Sequence, residues 1–193
     1  MRVCMCACAW RHCPLQVPFA MGDVACGSGY PIQSNASCWA RRYGIVVAIN
    51  SCEAAAEGNY NVELVYNATG ALVAKYRKVH PWYTKCFVTP ATPDYIVAPL
   101  PFGNFGIFTC FDIMWPTPGP VLVNQYGIRH FIYSAAIPLI GSAAEALWSD
   151  VHGSLLLSSN LMDGQSGVFV NGTRLTPVPA SGQDVIMFAN ISA

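Results

Sequence analysis

The 193 residues read as a layered α/β fold, and three observations carry that expectation. Apolar residues make up 53% of the chain against only 10% charged, so many segments must be buried on two sides, which sheets covered by helices achieve better than a small bundle. Short apolar runs of strand length occur at 45–49, 105–114, 130–135 and 155–159, and segments with helical spacing separate the last three. The length suits one domain with a real core, and no internal repeat or linker marks a second.

Taken in order, residues 1–32 are irregular, because Pro14, Pro18, Gly22, Gly27, Gly29 and Pro31 interrupt any long element. Ser34 or Asn35 is placed to cap a helix through Ala36, Trp39, Ala40 and Tyr43, which Gly44 ends before a strand at 45–49. Residues 52–59 read as a loop whose carboxylates, Glu53 and Glu57, are expected in solvent. Alternation at 60–66 and 71–76 around Asn67-Ala68-Thr69-Gly70 predicts a hairpin. Its second strand runs directly into Arg77, Lys78 and His80. Residues 82–99 form a proline-rich loop.

The stretch 103–116, G-N-F-G-I-F-T-C-F-D-I-M-W-P, reads as a strand buried on both faces that delivers Cys110 to its carboxyl end, where open α/β sheets place their chemistry. Asp112 is read as structural support, paired with Arg77. Pro118 is suited to open a helix through Val121, Leu122, Val123 and Tyr126 that Gly127 closes. A strand at 130–135, a helix at 142–151 with Trp148 inward, a strand at 155–159, a hairpin-like stretch at 164–175 and a last strand at 185–188 complete the order.

Composition also excludes partners. Net charge is zero with a pI near 6.9, so no basic surface argues for nucleic acid or anionic membrane. No window of about 18 uninterrupted apolar residues exists, and no membrane span is expected. The first ten residues match a secretion signal poorly. Four Asn-x-Ser/Thr acceptors, at Asn35, Asn67, Asn171 and Asn190, nevertheless suggest a glycosylated extracellular protein.

Of nine cysteines, Cys4, Cys6, Cys8, Cys13, Cys26, Cys38, Cys52 and Cys86 are able to pair in an oxidising compartment, which leaves Cys110 over. The spacing of Cys4, Cys6 and Cys8 lacks the two-residue gap of zinc sites, so no metal is assigned. On its residues alone Cys110 has two readings. Free cysteine is among the most buried residue types, whereas a thiol beside a cation becomes a thiolate nucleophile.

The order Y-R-K-V-H at 76–80, then F-G-I-F-T-C-F-D-I at 105–113, resembles the nitrilase, or carbon–nitrogen hydrolase, superfamily, and within it the pantetheinase and biotinidase branch. The similarity extends over about residues 33–175. The resemblance implies an α-β-β-α sandwich and a Glu-Lys-Cys site acting on a small-molecule amide without a cofactor. Cys110 would be the nucleophile that forms a thioester. Lys78 and the backbone N–H of Phe111 would face the oxyanion, and Phe111, Trp115 and Glu145 are assigned to oxyanion or substrate binding. The resemblance also implies an extracellular or secretory location.

Departures from the family are equally specific. Its general-base glutamate stands in a Pro-Glu motif after an early strand, and residues 1–32 contain no Glu. The expectation is therefore a partial domain over 33–193, N-terminally incomplete and missing its first strand or strands. Residues 82–101 lack the family's second glutamate, and Ala136 stands where a pocket tryptophan is expected. No replacement base is evident among Glu53, Glu57 and Glu63. Three readings follow: an amide hydrolase, a non-catalytic secreted relative, or a fragment of an incomplete gene model.

Overall fold

In the computed structural model, which describes residues 16–82, 84–162, 164–180 and 186–191, helices and two sheets stack in the order α-β-β-α. The outer helix α1 (Pro31–Tyr43) begins with proline in its first turn, where a fixed φ suits the helix and the missing N–H costs nothing. That start lies upstream of the Ser34/Asn35 cap expected from sequence. Gly44 ends it in the left-handed conformation, donating its N–H to Ala40 O, a stop that glycine adopts without steric penalty.

Beneath α1 lies an antiparallel sheet of β1 (Val47–Ala55), β2 (Gly58–Tyr66) and β3 (Leu72–Arg77). The expected loop at 52–59 is instead the end of β1, a two-residue turn and the start of β2, with Glu53 paired opposite Tyr60. Its polar residues look like loop in sequence, but their side chains find partners inside the fold. Alternation sorts the sheet's two faces. Ile49, Tyr60, Val62 and Leu64 pack on Ala36 and Ala40 of α1, while Val65, Ala74 and Tyr76 point at the second sheet, against Ile107 and Ile132.

The second sheet has six strands in sequential order: β4 (Val97–Leu100), β5 (Gly103–Thr109), β6 (His130–Ala135), β7 (Leu155–Asn160), β8 (Gly167–Val170) and β9 (Thr173–Arg174). The central β5, β6 and β7 are parallel, which requires crossovers. These are α2 (Gly119–Tyr126) and α3 (Gly141–Val151), and they cover the outer face through Leu122, Val123, Trp148 and the buried rings of Phe108 and Phe131. β4 sits inside the segment expected to be loop. As an edge strand it accommodates Pro99, which cannot donate to a ladder. Residues 186–188 form no strand; position 185 of that expected strand lies outside the described residues.

Residues 16–30 are irregular but anchored. Gly22 donates to Leu72 O and Leu72 donates back to Asp23 O, Val17 and Ala25 are buried in the α1 core, and Cys26 forms a disulfide with Cys38 of α1. Cys52 and Cys86 are also disulfide-bonded. The expected cysteine cluster at Cys4, Cys6, Cys8 and Cys13 lies outside the described residues. Among the described residues no helix is long and apolar enough to cross a membrane.

At Gly106 of β5 the side chains of Phe131 and Leu122 press close on the strand backbone. A Cβ there would collide with the Phe131 ring and press on Leu122, both fully buried. Gly106→Ala is expected to lower unfolding free energy by about 1–3 kcal/mol through overpacking, read as a reduced midpoint with unchanged slope in urea denaturation.

Candidate active site

The site is built where β5 stops. Sequence alone carries the apolar run of this strand through Met114, but the strand ends at Thr109, and Cys110–Met114 form a short 3-10 helix. Cys110 takes φ +53, the left-handed region that residues with side chains seldom occupy. Two bonds hold the turn: the Asp112 carboxylate accepts from Thr109 N at 3.0 Å, and Tyr133 Oη donates to Cys110 O at 2.9 Å. Cys110 is thereby partly exposed in a cavity, and it is the free cysteine among the described residues.

Asp112 also captures the exit of β3. Tyr76 Oη donates to its Oδ2 at 2.7 Å, while the His80 backbone N–H donates to Oδ1 at 2.9 Å and the His80 Nδ1 lies 3.0 Å from the same oxygen. Tyr76 Oη in turn accepts from Val79 N at 3.1 Å. Lys78 lies within this clamped segment, its own N–H bonded to Asn61 O at 2.9 Å. Its side chain is 4% exposed, and no carboxylate among the described residues comes within ion-pair distance of it.

The expected Asp112–Arg77 pair does not form. Strand alternation turns Arg77 and Lys75 to the α1 face, where they bind Glu53 at 2.7 and 2.8 Å. Burial alone would push the Glu53 carboxyl up, but the bonds from Arg77 and Lys75 prevail and hold it below its ordinary value. Glu53, expected in solvent, is thus a buried strand residue neutralised on the opposite face from Lys78.

A cavity of about 500 Å³ opens between the sheet ends. Its polar lining comes from Lys78, Cys110, Asn50, Asn61 and Ser134, and its apolar lining includes Trp82, Phe111, Met114, Ile140 and Met162. The structure therefore brings together Cys110, Lys78 and Phe111 of the sequence-assigned residues. Trp115 instead stacks on His80, rings parallel with centroids 4.6 Å apart. Glu145 is buried in α3 and accepts from Asn160 Nδ2 at 3.2 Å, an amide that also donates to Ile137 O. It supports the rim from behind. Of the acceptor asparagines, Asn35, Asn171 and Asn190 are exposed, and the partly buried Asn67 uses Oδ1 to hold its turn through Thr69 and Ala71.

Sequence reasoning leaves Asn50, Asn61 and Ser134 unassigned and finds no role for Glu63. Glu63 is fully buried on the inner face of β2. Its Oε2 accepts from Ser134 Oγ at 2.6 Å and from Asn50 Nδ2 at 3.1 Å. Burial pushes its carboxyl up to about 7, despite the lowering effect of those bonds. A detectable signal is present: Glu63 shares strand parity with Val65, on the face that must meet another sheet.

Two predictions follow from these bonds. Asp112→Ala leaves Tyr76, Thr109 and His80 without their acceptor in a buried site, so unfolding free energy should fall by about 3–5 kcal/mol, measured by chemical denaturation. Separately, Glu63 and Glu145 both titrate near 7 when folded because burial disfavours the charged form, against 4.5 otherwise. Their contribution to stability is complete below the unfolded value and is lost as pH rises through the folded value. The urea midpoint should be higher near about pH 5.5 than near about pH 8, and Glu63→Gln should shrink that difference.

Comparison with known proteins bears on the family and the fold. The family described as carbon-nitrogen hydrolase matches residues 31–156. The chain is 31% identical to a pantetheine hydrolase of Homo sapiens over 164 residues, 76% of this chain and 30% of that protein. It is 27% identical to a biotinidase of Mus musculus over 169 residues, 78% of this chain and 31% of that one. It thus spans about a third of the length of these relatives. Its fold is similar to nitrilase-superfamily Nit3 of Saccharomyces cerevisiae, with TM-score 0.67 and 18% identity, covering 78% of this chain and 61% of that one. A carbon-nitrogen hydrolase from Helicobacter pylori gives TM-score 0.64 at 19% identity, covering 76% and 62%. With the family's match covering more than half of its residues, the chain belongs to the carbon–nitrogen hydrolases.

Proposed function

We propose that the chain carries the thiol chemistry of an amide hydrolase of pantetheinase or biotinidase type, cleaving a linear C–N bond through a thioester on Cys110. One observation carries this reading. A free thiol at a left-handed turn lines the same cavity as Lys78, a buried ammonium without an acidic partner among the described residues. A buried cation is costly unless it has an anion to serve, and a cysteine becomes nucleophilic when a cation stabilises its thiolate.

In this reading the Cys110 sulfur attacks the amide carbonyl and forms a C–S bond while the C–N bond breaks, and the amine leaves with the thiol's proton, relayed through Lys78. Negative charge on the carbonyl oxygen meets Lys78 and the Phe111 N–H, which in the first turn of a helix has no intrahelical acceptor. Water then cleaves the thioester. Trp115 contributes by packing on the His80 ring beside Asp112, and Glu145 by fixing the Asn160 corner.

The apolar lining from Trp82, Met114, Ile140 and Met162, with amide and hydroxyl groups deeper in the cavity, suits a linear amide with an apolar stretch and a polar end. Similarity to a pantetheine hydrolase and a biotinidase supports the same substrate class. The Cys26–Cys38 disulfide and the exposed acceptors Asn35, Asn171 and Asn190 support passage through the secretory pathway.

Iodoacetamide should label Cys110 rapidly at neutral pH, and Lys78→Ala should slow that labelling about tenfold or more. Amine release from pantetheine or biotinyl-lysine should be absent in Cys110→Ser. Labelling of Cys110 no faster than that of an unfolded cysteine, and insensitive to Lys78, would leave a non-catalytic relative as the better description.

A further inference from the structure

Deep in the cavity wall, behind the groups that face the substrate space, sits a carboxylate that the reaction as described does not use. Glu63 projects from β2 into the inter-sheet layer and is 0% exposed. One oxygen, Oε2, accepts both the Ser134 hydroxyl and the Asn50 amide. The other, Oε1, is buried and finds no hydrogen-bond partner among the described residues. No described Lys or Arg lies within ion-pair distance of it, whereas Glu53, on the outer face, has two such partners.

A neutral Gln would satisfy the same two donors without placing a carboxylate in a dry site, where an unpaired charge is expensive. The two donors are also placed to matter. Ser134 and Asn50 both line the cavity that holds Cys110 and Lys78, and Ser134 pairs across the parallel ladder with Thr109, the residue immediately before Cys110. Asn50 is itself fixed, donating to Asn61 Oδ1 at 2.8 Å and Val62 O at 3.2 Å, so the acceptor oxygen of Glu63 is held toward Ser134.

We propose that Glu63 and Ser134 form a proton relay that activates the water which hydrolyses the Cys110 acyl-enzyme. The proposal rests on the thioester reading above and concerns its second half. Ser134 is fully buried in the cavity lining and its Oγ donates its hydrogen to Glu63, so in the relay the lone pairs of Oγ are left to accept from a water that enters the cavity. As the water oxygen bonds to the thioester carbon, its proton passes to Ser134 Oγ while the Ser134 proton passes to Glu63 Oε2. The C–S bond then breaks, the sulfur leaves as thiolate beside Lys78, and the free acid is released. The proton on Glu63 returns to solvent, with no change of oxidation state. Glu63 acts through Ser134 and does not touch the acyl group.

Burial brings the Glu63 carboxyl to about 7, near the value at which a base is both available and strong enough at neutral pH. Other titratable groups on the elements packed around it are committed elsewhere. On β3, Tyr76 is bound to Asp112; on β6, Tyr133 is bound to Cys110 O; on β1, Glu53 is held by Lys75 and Arg77. Lys78 and Cys110 are the groups with which the relay shares the cavity.

The test uses p-nitrophenyl acetate, whose burst of p-nitrophenol reports acylation of Cys110 and whose steady rate reports deacylation. Glu63→Gln should leave burst amplitude and rate within about twofold and lower the steady rate about 10²–10³-fold, with the rise in rate near pH 7 abolished. Ser134→Ala should do the same, and the double variant should be no worse than either single one, as expected for groups acting as a unit. Hydroxylamine, a stronger nucleophile than water, should restore acyl release in both. If Glu63→Gln does not fold, as judged by circular dichroism, the Ser134→Ala arm decides alone. A normal steady rate and pH profile in a folded variant overturns the relay and leaves the thioester reading standing. Absence of any burst in the parent chain overturns both.

Discussion

Everything at the site depends on one buried carboxylate. Asp112 binds Thr109 in the Cys110 turn and Tyr76 and His80 at the exit of β3, so a single side chain fixes the ends of two strands belonging to two different sheets. Burying a carboxyl is unfavourable unless its oxygens are satisfied, and a fully satisfied network rigidifies what it joins. The Cys110 backbone is held in the left-handed region by that network and by Tyr133, and Lys78 rides in the segment that the same network clamps. The relative position of thiol and ammonium is thus a consequence of hydrogen bonding to Asp112.

Charge is distributed unequally across the first sheet. On the α1 face Glu53 meets Lys75 and Arg77, and the three neutralise much of one another. On the inner face, Lys78 and Glu63 are each buried without an opposite charge in contact among the described residues. Pairing these two directly would stabilise the chain, as the outer triad does. Keeping them apart, with Asn50, Asn61 and Ser134 lining the space they share, sacrifices stability in a place that also contains a left-handed cysteine. Such local departures from what folding alone favours are characteristic of functional sites.

Much of the fold was legible in sequence because it rests on periodicity. The 3.6 spacing gave α1, α2 and α3, and the period-two hairpin gave β2 and β3. The order of two short motifs singled out Cys110 and Lys78, which the fold brings to one cavity. Where the reading failed, the reason is physical. An apolar run of strand character continues past Thr109, so its pattern hides a turn decided by a bond between residues three apart in sequence. The segment 52–59 looks like loop because the partners of Glu53, Lys75 and Arg77, lie on another strand.

Glu63 and Asp112 mark the boundary of what one-dimensional pattern can reveal. Each is an acidic residue in an apolar strand or turn, and in sequence each is an anomaly to be assigned to solvent or to a nearby cation. Both instead accept from donors brought from distant segments, Tyr76 and His80 for one, Asn50 and Ser134 for the other. Burial pushes the Glu63 carboxyl up, whereas the bonds from Arg77 and Lys75 hold Glu53 below its ordinary value. The distinction between these environments separates residues that hold the fold from those available to chemistry, and it becomes visible only when strands far apart in sequence are brought into register.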